Sequence, residues 1–267
     1  MHQTAQRRSM ISSTSPRPAS APARRQALRI VCLATMAAVL ATAAGGTSGR
    51  AADGPGIAPE QQLVTLSGVK DVHARPVFDS PSVVGLADQR PITLVRTSLP
   101  VLAEMTDADG RGWFRVRLPG RVFHRKTPPP TGWITASDTR TSYTAWHLVV
   151  DIRTRRVLVY HDGRLARAFD VIVGKPSTPT PRGEYFVEET MRLPAKNIEF
   201  PGALATSARS HVLKEFMGGP GQIALHGVAN IGGQMGTAVS NGCIRMTTSA
   251  IVWLRERIGP GVPLTIR

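Results

Sequence analysis

The 267-residue chain has little cysteine: two residues, Cys32 and Cys243. Cys32 lies in an N-terminal apolar stretch. A protein that loses this stretch keeps one thiol and cannot form an internal disulfide. Aromatic residues are scarce at 5%, whereas Gly and Pro number 25 and 21. That balance argues against a helical bundle and for short strands joined by turns. Acids number 18 against 33 Lys and Arg, giving a net charge of +15. Residues 1–44 hold six arginines and no acid, which leaves +9 for the remainder. The longest apolar run, Ile30–Ala44, has fifteen residues, short of the ~20 a spanning helix needs. His147, His161, His211 and His226 show neither His-x-His nor His-x-x-x-His spacing, which weighs against a zinc site. No Lys/Arg run sits on a predicted helix, which disfavours nucleic acid as a partner.

The N-terminus has the parts of an export signal. Arg24-Arg25-Gln26-Ala27-Leu28-Arg29 is a cationic region, Ile30–Ala44 an apolar core, and Ala41-Thr42-Ala43 a small-residue cleavage site. Residues 1–44 are therefore expected to be an export signal, cleaved or retained as a tilted anchor. Residues 45–60, rich in Gly, Ala, Pro and Ser, are expected to form a flexible tether. The protein is placed in the periplasm or cell wall, where its basic charge suits an anionic polymer.

The rest is expected to be mainly β. Between residues 61 and 140, Val69–Arg75, Val83–Leu86, Ile92–Val95, Trp113–Leu118 and Gly132–Ile134 are strand-like runs separated by Pro and Gly breaks. The polar stretch Asp138–Thr144 is expected to be a linker. Beyond it, Trp146–Ile152, Val157–Tyr160, Ala168–Gly174, Tyr185–Val187 and Val262–Ile266 predict strands, with a hairpin turn at His161-Asp162-Gly163. Thr248 or Ser249 is expected to cap a helix ending near Ile258, before Gly259-Pro260. Between Arg192 and Gly219 the pattern suggests either a substrate-covering lid or an ordinary loop with a short helix. Lys196, Arg209, His211 and Lys214 there are available to carboxylates.

The chemistry concentrates in Ser240-Asn241-Gly242-Cys243-Ile244-Arg245-Met246, with His226-Gly227 seventeen positions before the thiol. A thiol attacks as thiolate, and an imidazole can take its proton and return it to a leaving group. Ile223-Ala224-Leu225 places His226 at a strand end. The glycine-rich stretch Gly232–Gly236 lets the chain return, so that His226 and Cys243 can meet across adjacent strands. The amides of Gly242 and Cys243 are candidates for an oxyanion hole. Arg245 falls on the same strand face as Cys243, where it can favour the thiolate or bind a carboxylate. Taken singly, Asn241-Gly242 is also a common turn, a buried cysteine is usually inert, and a lone histidine is usually structural.

Together these residues resemble the signature of the L,D-transpeptidase (YkuD-type) catalytic domain. Gly174-Lys175-Pro176 and Thr178-Pro179-Thr180-Pro181-Arg182-Gly183 resemble that family's strand-and-bend motif. The likeness covers residues 145–267. Residues 61–140 resemble a bacterial SH3-like domain. The resemblance implies a small SH3-like barrel followed by a β-sandwich with a short C-terminal helix. It implies Cys243 as nucleophile, His226 as base, the Gly227 carbonyl orienting the imidazole, and Ser240, Asn241, Gly242 and Arg245 in the substrate site. Many members have histidine where this chain has Asn241.

The implied reaction joins the third residues of two peptidoglycan stem peptides, donor and acceptor, through a thioester. If water replaces the acceptor, the enzyme is an L,D-carboxypeptidase. A non-catalytic wall-binding protein is the third reading. No cofactor or metal is required, the SH3-like part is expected to contact the wall, and a monomer is expected. Sortase-like enzymes place their arginine well after the cysteine, and NlpC/P60-type endopeptidases place cysteine before histidine. The order here fits neither.

Overall fold

The computed structural model describes residues 56–122, 125, 127–216 and 219–267. The expected export signal, Cys32 and most of the expected tether lie outside them. Among the described residues, no helix is long and apolar enough to cross a membrane.

Seven strands build a first sheet: β1 (Gln61–Leu66), β2 (Lys70–His73), β3 (Ser82–Leu86), β4 (Ser98–Thr106), β5 (Gly112–Arg117), β6 (Thr131–Thr135) and β7 (Thr139–Thr144). They run antiparallel in the order β3-β2-β6-β5-β4-β1-β7. Val64, Leu66, Val72, Leu99, Phe114, Val116 and Ile134 fill its core. Trp113 is buried, and its indole N–H donates to Asp107 Oδ2 at 2.9 Å.

A second sheet combines β8 (Trp146–Asp151), β9 (Arg156–His161), β10 (Arg164–Asp170), β12 (Gly183–Arg192), β13 (Gly202–Arg209), β14 (Gln222–Gly227), β16 (Ile244–Met246) and β17 (Pro263–Ile266). Its order is β10-β9-β8-β17-β12-β13-β14-β16. Two short strands, β11 (Val173–Gly174) and β15 (Ala238–Ser240), pair parallel beside it. The single helix of the described residues, α1 (Thr248–Arg255), packs Ala250, Ile251 and Leu254 into the same core as Leu204, Leu225 and Ile244. Truncating one such leucine to alanine costs ~2–5 kcal/mol.

The chain is therefore mainly β, but four local expectations change. Ile92–Val95 is a turn in which Leu94 takes φ 57°, not a strand. Asp138–Thr144 is not a linker, because Thr139–Thr144 zips along β1 from Leu66 back to Gln61. Ala168–Gly174 is split between β10 and β11. The helix cap is Thr247, one residue earlier than expected, and its side chain accepts from Ala250 N.

The largest correction lies between Arg192 and Gly219. Gly202–Arg209 is neither lid nor loop but β13, buried along its whole length between β12 and β14. Its sequence, GALATSAR, has no alternation because both faces are covered.

Candidate active site

β14 and β16 lie parallel at one edge of the second sheet, pairing Leu225 with Ile244, His226 with Arg245 and Gly227 with Met246. Alternation puts Gln222, Ala224 and His226 on one face, together with Cys243 and Arg245. Cys243 directly precedes β16. Carried back one residue, the register sets it opposite Ala224, whose backbone reaches the sulfur, and two positions before Arg245, the partner of His226. The topology thus brings the two expected reacting groups onto one face of adjacent strands.

His226 is only 4% exposed, and its Nδ1 lies 2.8 Å from the Gly227 carbonyl oxygen. A carbonyl only accepts, so Nδ1 carries the hydrogen and Nε2 keeps its lone pair. Burial pushes the His226 pKa below the usual imidazole value; Glu199 and the Gly227 carbonyl push it up, and Arg245 pushes it down. Cys243 is half-buried, with Sγ 3.9 Å from the Gln222 carbonyl oxygen. Burial pushes its thiol up to about 11; the Ala224 amide and Arg245 oppose this, and Glu199 adds to it. At neutral pH the pair therefore rests as neutral thiol and neutral imidazole.

These shifts predict a stability profile. On acidification the unfolded chain takes up a proton near pH ~6.5 before the folded His226 does, so stability falls as pH drops below that point. On alkalinisation the unfolded thiol ionises near pH ~8.5 while the folded thiol keeps its proton, so stability falls from there toward the folded value. Denaturant midpoints across pH should show His226→Gln flattening the acid limb and Cys243→Ala the alkaline limb. Unchanged limbs in both variants would refute the assignment.

The turn before the thiol is closed by its own hydrogen bonds. The Ser240 hydroxyl donates to the Cys243 carbonyl at 2.6 Å and accepts from the Gly242 amide at 3.1 Å. Ser240 is fully buried and holds the turn together. The Gly242 amide, one of the two candidate oxyanion donors, donates to that hydroxyl. Gly242 takes φ +118°, a conformation that L side chains rarely adopt, and this sharp bend aims the next residue. The strand-and-bend segment supports the turn from behind. Thr180 Oγ1 donates to the Gly242 carbonyl at 2.8 Å and accepts from Gly174 N at 2.9 Å, while Lys175 N donates to the Ser240 carbonyl at 2.9 Å.

Asn241 is exposed and shares with Cys243 a cavity of about 20 Å³, bordered by Leu213, Phe216, Gln222 and Ile223. That is the space of about one water molecule. Arg245 is half-buried, and its Nε has no partner among the described residues. Of the four basic residues expected to meet carboxylates, Arg209 is buried and bound to Glu188. His211 and Lys214 border a separate cleft of about 350 Å³, and Lys196 is exposed.

A family profile described as the L,D-transpeptidase catalytic domain (YkuD) matches residues 145–266. YqjB of Bacillus subtilis, a protein named as an L,D-transpeptidase, is 31% identical over 124 residues, which make up 45% of this chain and 70% of that protein. The chain belongs to the L,D-transpeptidase (YkuD) family. YkuD of Bacillus subtilis is 26% identical over 121 residues. This chain spans 65% of its length, slightly under two thirds, and the match takes in 45% of this chain. The solved L,D-transpeptidase from Mycobacterium smegmatis shares 18% identity, covering 59% of this chain and 90% of that one at a TM-score of 0.36.

Within this YkuD-type domain, several residues near the thiol carry no sequence signal of their own. Glu199 acts electrostatically on both His226 and Cys243 from the loop before β13. Gln222 meets the sulfur through its main chain. Gly227 has a tight steric role. A Cβ there would lie 2.1 Å from the Phe200 carbonyl oxygen and 2.7 Å from Pro201 Cδ. Gly227→Ala must push β14 off that loop and displace the carbonyl that holds His226. The variant is expected to melt roughly 3–10 °C lower and to lose about tenfold or more in acylation rate. A wild-type rate would contradict the orienting role.

Proposed function

We propose that the chain is a peptidoglycan L,D-transpeptidase that joins third residues of stem peptides through a thioester on Cys243. The observation that carries this reading is the parallel pairing of β14 with β16, which places Cys243 and a tautomer-fixed His226 on one face. Family membership supplies the substrate class.

The resting state makes His226 a general base. As Sγ attacks the carbonyl carbon of the donor's third residue, Nε2 takes the thiol proton, so the sulfur ionises only as it bonds. The C–N bond to D-alanine then breaks, and the proton passes from Nε2 to the departing amine. The acceptor amine attacks the thioester, Nε2 takes a proton from it, and the proton returns to the sulfur as the C–S bond breaks. Arg245, on the same face, favours the developing thiolate and offers a guanidinium to a stem carboxylate. Asn241 supplies a hydrogen bond where many relatives have histidine. Residues 61–140 are read as an SH3-like module contacting wall polymer, and residues 1–44 as the export signal or anchor of a monomer acting outside the cytoplasm.

The test is incubation of purified protein with disaccharide tetrapeptide, with products weighed by mass spectrometry. The expected product is a dimer lacking one D-alanine. Disaccharide tripeptide without dimer would assign an L,D-carboxypeptidase instead. Unchanged stems, with the protein still pelleting with insoluble peptidoglycan, would assign a wall-binding protein.

A further inference from the structure

Glu188 sits where β12 bulges, the register with β13 slipping between Val187 and Glu189. Such a bulge re-aims a side chain. Glu188 is 1% exposed. Its carboxylate accepts from Arg90 Nη2 at 2.8 Å, from Arg209 Nη2 at 3.1 and 3.3 Å, from Gly120 N at 3.0 Å and from Gln222 Nε2 at 2.9 Å. Arg90 belongs to the turn region after β3, and Gln222 opens β14.

Gln222 Nε2 also donates to the Thr206 carbonyl at 3.1 Å, so both of its amide hydrogens are used. The main-chain carbonyl of Gln222 is the group 3.9 Å from Cys243 Sγ. Four residues on, the same strand carries His226. A single buried carboxylate thus connects a guanidinium contributed by the N-terminal part of the chain to the strand that bears the base and touches the thiol. Stability alone does not account for it, because a buried ion pair is often no better than well-packed apolar residues of similar size. What such a cluster supplies is fixed geometry.

We propose that Glu188, held by Arg90, is a positioning residue for Cys243 and His226, fixing Gln222 and the start of β14 against the thiol. The N-terminal sheet is thereby part of the working site. The catalytic consequence rests on the acyl-transfer reading; the effect on the thiol does not.

The test follows alkylation of Cys243 by iodoacetamide across pH, located by peptide mass mapping, in the full chain and in Arg90→Met, Arg90→Lys, Gln222→Met and Arg117→Ala. Arg117 Nη1 donates to the Glu184 carbonyl at 3.0 Å, a contact between the two sheets that does not reach β14. Arg90→Met and Gln222→Met are expected to change the alkylation rate by roughly fivefold and to lower kcat for stem peptide about tenfold with KM nearly unchanged. Arg90→Lys should recover most of the loss, and Arg117→Ala should behave as wild type. Where Arg90→Met fails to fold, Gln222→Met makes the same comparison. A wild-type alkylation profile in the folded Arg90→Met or Gln222→Met protein overturns the proposal, and so does an equal loss in Arg117→Ala. If the parent protein turns over no stem peptide yet its alkylation responds to Arg90→Met and not to Arg117→Ala, the positioning stands and the acyl-transfer reading falls.

Discussion

A Cys243→Ala protein is expected to form no covalent acyl adduct and to lose turnover of tetrapeptide stems by a factor on the order of 10⁴ or more. Apart from His226, which is assigned the proton transfer, the side chains on that face do not offer a nucleophile. Ala224 offers none, Gln222 is committed to Glu188 and Thr206, and Arg245 is a cation. The β-strand pairing does not depend on the thiol, so the variant should remain folded and keep any affinity for insoluble peptidoglycan. Intact-protein mass and product analysis check this. Residual turnover within about tenfold of wild type would mean that the nucleophile is another group.

The second large effect belongs to the base. His226→Gln is expected to lower the acylation rate at neutral pH by roughly 10³-fold. The shape of the loss matters more than its size. With the thiol held up at about 11, the variant has only the small thiolate fraction to work with. Its rate should rise about tenfold per pH unit through the alkaline range. The wild-type rate should change far less over that interval, because Nε2 accepts the proton during attack. Parallel profiles for the two proteins would show that the imidazole does not move the proton. Glutamine retains a donor toward the Gly227 carbonyl, which separates loss of the base from collapse of the strand end.

The turn around the thiol was readable because its constraints are local. Asn241-Gly242 and the thiol are adjacent, and the histidine stands at a strand end only seventeen positions earlier. The sequence did not reveal that Ser240 and the Gly242 amide satisfy each other. Hydrogen-bond partners chosen inside a turn leave no periodic trace. β13 escaped for a different reason. A strand covered on both faces and built mostly from Gly, Ala, Ser and Thr shows neither alternation nor bulky β-formers. Thr139–Thr144 escaped through the opposite property: a polar strand owes its order to its partner β1, not to its own composition. Glu188 and Glu189 look like two surface acids. They are buried by the bulge and by partners distant in sequence, among them Arg90 and Thr93 about a hundred positions earlier.

In the proposed reaction a neutral thiol and a neutral imidazole work as one proton-sharing pair where β14 and β16 meet. The most direct measurement is peptide mapping of protein quenched in acid during turnover of disaccharide tetrapeptide. The expected result is a mass equal to the donor less D-alanine on the peptide containing Cys243, strongly reduced in His226→Gln. Turnover that proceeds with no acyl mass on Cys243, or with the mass on another residue, would contradict it.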